Sequence, residues 1–316
     1  MLTFWIIVFI ISIAVLVKGA DWLLGSAEKI GLAAGLSPFI VGVVIVGLGT
    51  SFPELISSLV ATFKGVTEIV AANAIGSNIA NILLIVGLSA VVGGRLAVSK
   101  SLIDLDLPLL AVSTALFLGV VWDRQIVFAE SILLLVLFVI FLLYTVLHKD
   151  DEEEGDTGSK KEVVKRPKVT GRDILFLVIG ILALAIGAKY LIDSVIKLSE
   201  ILAIGAGAIT LAAVALGTSL PELLVSVKAA WQKKPEIALG NIFGSNVFNL
   251  LLVVGIPGLF KTLIVDEQTF TLGVPVLIVA TLLFIISGIS RRIHIYEGAM
   301  YIVIYVFFIG KLFAFI

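Results

Sequence analysis

The chain is a succession of apolar stretches, each about 20 residues long, separated by short polar segments. A helix needs about 20 predominantly apolar residues to cross the hydrocarbon core of a bilayer. The first stretch has no basic start and no small-residue cleavage site, so we interpret it as a retained span and not as a signal peptide. The pattern predicts ten spanning helices, at residues 3–30, 38–62, 70–92, 102–121, 126–147, 173–198, 206–230, 237–257, 268–290 and 298–316.

Composition supports an all-α integral membrane protein. Hydrophobic residues make up 60% of the 316 positions and charged residues 14%, whereas soluble domains have about 45–50% and about 25%. The net charge of −1 gives no basis for nucleic-acid binding. The chain has no cysteine, and its two histidines, His148 and His294, lie far from the polar motifs described below, which excludes thiolate and histidine zinc sites there. We expect the lipid bilayer of a cell (inner or plasma) membrane to surround the chain.

One long polar segment, with an acidic run at 150–154 followed by several lysines, separates five predicted spans from five. We therefore divide a single membrane domain into a first five-helix repeat at 1–147, a linker at 148–171 and a second five-helix repeat at 172–316. An odd number of spans per repeat inserts the second half upside down relative to the first. Such inverted repeats are common in transporters, with the site near the membrane midplane at the repeat interface.

Basic residues give the orientation of the chain. Cytoplasmic loops are enriched in lysine and arginine. In the predicted topology the linker side holds most of these residues, whereas the opposite side holds only Lys64, Arg124, Lys197, Lys261 and Lys311. We therefore expect a cytoplasmic linker and both termini outside.

Inside these apolar spans, one polar motif occurs twice. The copies are GTSFPE (49–54) with NAIGSN (73–78) and Asn81, and GTSLPE (217–222) with NIFGSN (241–246) and Asn249. Every pair of equivalent positions is separated by the same number of residues as Glu54 and Glu222. We call this separation the repeat offset. An ionisable residue inside a membrane span is costly and indicates a functional site by default. Two of them in matched halves indicate one site built from both halves.

The motif predicts irregular helices. Thr50, Ser51 and Glu54 are three or four residues apart and so share one helical face. Pro53 has no N–H, and its ring clashes with the carbonyl four residues earlier, which weakens the helix. Backbone that departs from the helix is tolerated at membrane depth only where protein buries it or a wet cavity borders it. The second copy has the same parts, including Pro221, so we expect kinked or broken helices 2 and 7.

The third and eighth spans complete the predicted site. Ser77 and Asn81 belong to one polar stripe of the third span, and Gly76 is expected to let a neighbouring helix approach closely. The eighth span repeats this pattern with Gly244, so we also expect irregular helices 3 and 8 around the midplane site. The other repeated amides are interpreted as supporting or packing residues; they are Asn73, Asn78, Asn241 and Asn246.

The chemistry of these side chains favours a hard cation. Every candidate donor is an oxygen, which suits Ca²⁺ and Na⁺ and does not suit a soft metal. Two carboxylates balance one divalent ion or two monovalent ions. Emptying the site leaves two bare buried carboxylates, which is strongly disfavoured. These properties predict exchange of one load for another, with inorganic cations as cargo and no resident cofactor.

The doubled motif resembles the two alpha-repeats of the sodium/calcium exchanger family, within the wider cation/Ca²⁺ antiporters. The resemblance implies ten helices, alternating access by sliding of spans 1 and 6 past a rigid core, and Na⁺ entry that drives Ca²⁺ extrusion. It also implies a set of ion ligands with the two glutamates at its centre: Glu54, Glu222, Thr50, Ser51, Thr218, Ser219, Ser77, Ser245, Asn81, Asn249 and the carbonyls of Gly47 and Ala215.

The sequence departs from many such relatives at Asn81 and Asn249, where one or both positions are Asp in the family. This leaves the stoichiometry and the ion selectivity open, so the alternative is a divalent-cation exchanger driven by H⁺ or K⁺, or one that carries another divalent ion. A passive channel and an intramembrane enzyme fit the doubled site less well. We therefore expect a transporter that is not an enzyme and that functions as a monomer. A structural alternative is that the two glutamates form ion pairs with nearby lysines, the candidates being Lys18, Lys189 and Lys228.

Overall fold

The computed structural model describes residues 2–97, 106–147, 167–201 and 219–312. Ten helices in this part of the chain correspond to the ten predicted spans. They are α1 (Leu2–Ala34), α2 (Pro38–Lys64), α3 (Glu68–Gly93), α4 (Leu107–Val120), α5 (Phe128–Leu147), α6 (Gly171–Ile201), α7 (Leu220–Trp231), α8 (Pro235–Gly258), α9 (Thr269–Ile289) and α10 (Ile295–Leu312). All of them except α4 and α7 are long and apolar enough to cross a membrane. The predicted starts of spans four and seven, and the linker up to residue 166, lie outside the described residues.

Glycines end the first two helices. Gly35 and Gly65 adopt φ values of 73° and 84°, the left-handed region that lacks a steric penalty only for glycine. The amide of Gly65 donates to the carbonyl of Thr62, and the following amide of Val66 donates to Ala61. These bonds satisfy carbonyls that the end of the helix leaves free.

Turns of π-helix interrupt the helices that carry the repeated motif. They span Val41–Gly47 in α2, Ala80–Val86 in α3 and Asn249–Val253 in α8. Such turns are rare and occur frequently at functional sites. The prediction of irregular helices 2, 3 and 8 is therefore confirmed, although α2 remains a regular α-helix through Pro53 and its irregular turn precedes that residue. The segment that leads into α7 is outside the described residues.

The helices form a buried centre and a periphery. In the most apolar part of each span, 94% of the residues of α8, 72% of α3 and 61% of α2 are buried, against 17% of α1 and 22% of α6. The long helices α1 and α6 pack mainly along each other. The motif-bearing helices therefore form the core of the bundle, and α1 with α6 forms a pair at its edge.

Glycines allow α2 and α8 to cross with their backbones in contact. A Cβ on Gly240 would lie 2.4 Å from the carbonyl oxygen of Phe39, and one on Gly244 would lie 2.5 Å from that of Val43. The expected close approach at Gly244 is confirmed. The same expectation for Gly76 is wrong, because a Cβ there would meet nothing within 4 Å; this glycine borders a cavity of about 510 Å³ between α3, α9 and α10.

Two short antiparallel ribbons join the halves. Strand β1 (Arg95–Ala97) pairs with β4 (Arg292–His294), and β2 (Gln125–Ile126) pairs with β3 (Leu263–Ile264). The first residues of β1 and β3 are separated by the repeat offset, as are the paired motif positions. Because α9 follows β3 of one ribbon and precedes β4 of the other, the ribbons lie at opposite ends of the bundle. Each ribbon thus pairs one strand from each repeat, and the two ribbons are related by the inverted internal repeat.

Candidate functional site

The two repeated glutamates are buried together inside the bundle. Glu54 of α2 is 0% exposed and Glu222 in the first turn of α7 is 1% exposed. The Ser51 hydroxyl donates a 3.2 Å hydrogen bond to Oε1 of Glu222. Because Ser51 and Glu54 share a helical face, this bond brings both carboxylates to one pocket.

Most of the carboxylate oxygens in this pocket have no hydrogen-bond partner among the described residues. Both oxygens of Glu54 and Oε2 of Glu222 accept no hydrogen bond from the residues that the structure describes. A buried charge that is neither paired nor hydrogen-bonded is expensive. The arrangement is therefore suited to an added positive charge in the pocket.

The three lysines named above as candidate partners of the glutamates make other contacts. Lys228 forms a 2.6 Å ion pair with Asp21 and donates to a backbone carbonyl of α1. Lys18 and Lys189 lie over aromatic rings. Among the described residues, no salt bridge reaches either motif glutamate. This contradicts the structural alternative in which the glutamates pair with lysines.

Hydroxyl and carbonyl oxygens of α2 and α8 meet at Thr50. This residue is 0% exposed, and its Oγ1 lies 3.3 Å from the carbonyl oxygen of Gly47 and 3.5 Å from Oγ of Ser245. Its shortest hydrogen bond, 3.0 Å, is donated to Oδ1 of Asn241. Three predicted site residues, Gly47, Thr50 and Ser245, are thus brought together.

The predicted amide ligands are also buried and available. Asn81 and Asn249 are each 1% exposed, and neither side-chain atom of either amide has a hydrogen-bond partner in the described part of the chain. The hydroxyls of Ser77 and Ser219 are also buried and have no hydrogen-bond partner among the described residues. These side chains are neutral oxygen donors on helices that also carry the carboxylates or pack against them.

Two predicted site residues, Thr218 and Ala215, lie outside the described residues. Within the described ranges, no group of three or more His, Cys, Asp or Glu side chains is arranged to hold a metal ion. The pocket accordingly combines two carboxylates with hydroxyl, amide and backbone oxygens. Such a set can hold hard cations of low total charge.

Two of the repeated amides, which the sequence predicted as supporting or packing residues, hold other groups around the pocket. Asn241 is 0% exposed and its Nδ2 donates a 2.7 Å bond to Oγ of Ser226. Asn78 donates from Nδ2 to the carbonyl oxygen of Asn246, its repeat mate, at 3.0 Å. For the contact between Asn241 and Ser226, the sequence contains one indication. Ser226 lies four residues after Glu222 and therefore shares its helical face.

Comparison with known proteins shows what this chain is similar to. The sequence model described as sodium/calcium exchanger protein matches residues 4–147 and 173–314. The sodium/calcium exchanger MaX1 of Methanosarcina acetivorans is 33% identical over 352 aligned positions, which cover 99% of each chain. The inner membrane protein YrbG of Escherichia coli is 32% identical over 279 positions, covering 87% of this chain and 86% of its own.

The fold is also similar to solved structures. The sodium-calcium exchanger NCX_Mj soaked with 10 mM Na⁺ and zero Ca²⁺ superposes with a TM-score of 0.82 at 28% identity, and the match covers 99% of this chain and 100% of the other. The same exchanger soaked with zero Na⁺ and Ca²⁺ gives a TM-score of 0.80. The similarity to this exchanger therefore covers nearly the whole chain, including both regions that match the family model.

Proposed function

The chain belongs to the sodium/calcium exchanger family, and on this premise we propose that it exchanges Na⁺ for Ca²⁺ across the membrane through the pocket between Glu54 and Glu222. The observation that carries the proposal is this pair of buried carboxylates, one from each repeat, whose free oxygens have no hydrogen-bond partner among the described residues. A cation supplies the missing charge, and the neutral oxygens around it replace water.

The charge of the pocket supports exchange. Two carboxylates are neutralised by one Ca²⁺ or by two Na⁺, whereas the empty pocket holds two uncompensated charges in a dry environment. Burying such charges costs several kcal/mol, on the order of 3–5 kcal/mol when a partner is removed. The loaded site can therefore change sides much more readily than the empty one, and the two ions move in opposite directions in successive steps.

We assign the twelve oxygen-bearing residues named from the sequence as the ligand set, with the ions as cargo and no resident cofactor. The hydroxyl of Ser51 both orients Glu222 and offers its lone pairs to the ion. Thr50, Gly47 and Ser245 supply oxygens from the crossing of α2 and α8. Asn81 and Asn249 supply amide oxygens in place of further carboxylates.

The pair of helices α1 and α6 is the moving part in this proposal. Together with α10, these helices are the least buried of the candidate spans in the described part of the chain, and α1 and α6 pack mainly on each other. Their contact is close, because a Cβ on Gly180 would lie 2.7 Å from the amide nitrogen of Leu23 and one on Gly187 would lie 2.8 Å from Cγ of Leu16. A tightly joined pair on the edge of a rigid core can slide as one body and open the pocket to alternate sides.

The surrounding assignments complete the proposal. The family consists of exchangers that move inorganic cations across membranes, and we assign no enzymatic reaction to this chain. We propose a monomer in the cell (inner or plasma) membrane, with the 148–171 linker in the cytoplasm and both termini outside. The excess of basic residues on the linker side supports this orientation.

The test is uptake of ⁴⁵Ca²⁺ into proteoliposomes that are loaded with Na⁺ and diluted into Na⁺-free buffer. The wild type should accumulate Ca²⁺ only while the outward Na⁺ gradient lasts. Glu54→Gln and Glu222→Gln should each reduce uptake about 100-fold or more, because each leaves a divalent ion with one carboxylate. Glu68→Gln is the matched control, since Glu68 is an exposed glutamate in the first turn of α3.

Uptake that does not depend on the Na⁺ gradient would contradict Na⁺ coupling. The same vesicles would then be tested with pH and K⁺ gradients and with other divalent ions. Equal loss of uptake in Glu68→Gln and Glu54→Gln would contradict the assignment of the pocket.

A further inference from the structure

We propose that Asn241 is a positioning residue for cation binding: it directs the hydroxyl of Thr50 and fastens the turn of α7 that carries Glu222. The inference rests on the proposed function, since it takes Thr50 and Glu222 as ligands. Asn241 itself is not assigned as a ligand, because both ends of its amide are occupied by protein groups.

The bonds of Asn241 connect three helices. From α8, its Oδ1 accepts the 3.0 Å bond from the hydroxyl of Thr50 in α2. Its Nδ2 donates to Oγ of Ser226 in α7 at 2.7 Å and lies 3.5 Å from the carbonyl oxygen of Glu222. The side chain is 0% exposed, so no water competes for these bonds from the surface.

The bond to Thr50 decides which part of its hydroxyl faces a cation. A hydroxyl has one hydrogen and two lone pairs. When the hydrogen is donated to Asn241, both lone pairs stay available for an ion. Without this acceptor, the hydrogen can turn towards other oxygens in the pocket, where its positive end opposes a bound cation.

The bond to Ser226 acts on the neighbouring carboxylate. Ser226 and Glu222 are four residues apart and lie one above the other on α7. Fastening Ser226 to α8 therefore holds the turn from which Glu222 projects. Asn241 thus fixes one neutral ligand and one charged ligand relative to the same helix.

The first repeat offers a matched control. Ser58 stands in the same relation to Glu54 as Ser226 does to Glu222, and it is similarly buried at 1% exposed. Its hydroxyl, however, has no hydrogen-bond partner in the described part of the chain. Removing the Ser58 hydroxyl should therefore leave ion binding unchanged, whereas removing that of Ser226 should weaken it.

The test is a double-mutant cycle read by equilibrium ⁴⁵Ca²⁺ binding to the purified protein, with thermal unfolding of each variant measured separately. Asn241→Ala should raise the Kd for Ca²⁺ about three- to tenfold, the value of one buried hydrogen bond. In a Thr50→Val background, which has no hydroxyl at this position, Asn241→Ala should raise the Kd further by less than about threefold. In a Thr50→Ser background, which keeps the hydroxyl, the full effect should return. Ser226→Ala should raise the Kd about two- to threefold and Ser58→Ala should not change it.

Several results would contradict the positioning role of Asn241. Effects of Asn241→Ala that are equal in the Thr50→Val and Thr50→Ser backgrounds would overturn the inference, as would a change in thermal unfolding with an unchanged Kd. Equal effects of Ser58→Ala and Ser226→Ala would overturn the role of Ser226. Because binding is measured without a Na⁺ gradient, a wild type that binds Ca²⁺ but shows no Na⁺-driven uptake would contradict the proposed function and not this inference.

Discussion

The two halves of the pocket have matching sequences but different bonds. In the first half, Ser51 donates its hydroxyl to the carboxylate of the second half, Glu222. The hydroxyl of its repeat mate Ser219 makes no hydrogen bond to the described residues, and neither carboxylate oxygen of Glu54 has a partner among them. Asn241 likewise binds Ser226, while the related Ser58 hydroxyl is without a partner in the same set.

This comparison shows that an internal repeat specifies equivalent groups and not equivalent environments. The two halves of an inverted repeat have opposite orientations in the membrane. When the site is open to one side, equivalent helices of the two halves therefore have different neighbours. Here the carboxylate of Glu222 is the one that accepts a hydrogen bond from the described residues. Matched substitutions in the two halves can measure how much this difference contributes to ion binding.

Apart from the loss of a carboxylate, the largest effect is expected from adding a charge to either half. Asn81→Asp and Asn249→Asp are isosteric and place a third carboxylate beside a buried pocket, so the KM for Ca²⁺ in Na⁺-driven uptake should fall about tenfold through direct attraction. The maximal rate should fall as well, because release from a more negative site is slower. Equal shifts in the two variants, measured by ⁴⁵Ca²⁺ uptake, would show that both amides face one pocket. A shift in one variant alone would place only that amide at the ion.

The sequence was sufficient to predict the span count, the inverted repeat and the irregular motif helices. These depend on local properties: apolar length, residue spacing, and the small and polar residues of α2, α3 and α8. The repeat offset relates Glu54 to Glu222 without knowledge of the fold. The same offset explains why the two ribbons join the halves in a symmetric pattern.

Packing partners were not predictable in the same way. Gly76 and Gly244 occupy equivalent places in the motif, yet one borders a cavity and the other lies against the backbone of α2. Which lysine would pair with which acid was also open, and Lys228 binds Asp21 of α1. Such contacts depend on which helix packs beside a residue, and two closely similar short motifs contain no information about that.

A smaller effect should separate the two repeated serines. Ser51→Ala removes a proposed ligand oxygen and also the bond that orients Glu222, so the KM for Ca²⁺ should rise about fivefold. Ser219→Ala removes a hydroxyl that makes no hydrogen bond to the described residues, so its effect should be about twofold. Both values come from Na⁺-driven ⁴⁵Ca²⁺ uptake at graded Ca²⁺ concentrations. A Ser219→Ala effect equal to that of Ser51→Ala would indicate that the hydrogen bond to Glu222 contributes nothing to binding.

The smallest effect concerns ion pairs between α1, which moves in the proposed mechanism, and the core. On α1, Asp21 pairs with Lys228 and Glu28 pairs with Lys234, which lie in and just after α7. The positions equivalent to these lysines in the first repeat are Val60 and Val66, so the first repeat cannot form the equivalent pairs. These ion pairs therefore hold α1 against the core near the linker end of the bundle. The first repeat has no equivalent lysines that could form such pairs near the other end.

Removing one of these pairs should make it easier for α1 to move away from the core. Leu24 is 3% exposed and lies between Asp21 and Glu28 on the same face of α1. Because the chain has no cysteine, Leu24→Cys can be labelled alone with a membrane-impermeant thiol reagent. Lys228→Gln should raise its labelling rate about two- to threefold, since a partly exposed ion pair contributes roughly 0.2–1 kcal/mol.

The control for this measurement is the ion pair between Lys29 and Asp173, whose atoms are 2.7 Å apart. It joins α1 to α6, two helices that move together in the proposed mechanism, so Lys29→Gln should leave the labelling rate of Leu24→Cys unchanged. Faster labelling in both variants would mean that α1 separates from α6 as well as from the core. Faster labelling in Lys29→Gln alone would reverse the assignment of the moving body, because the restraint on α1 would then come from its peripheral neighbour.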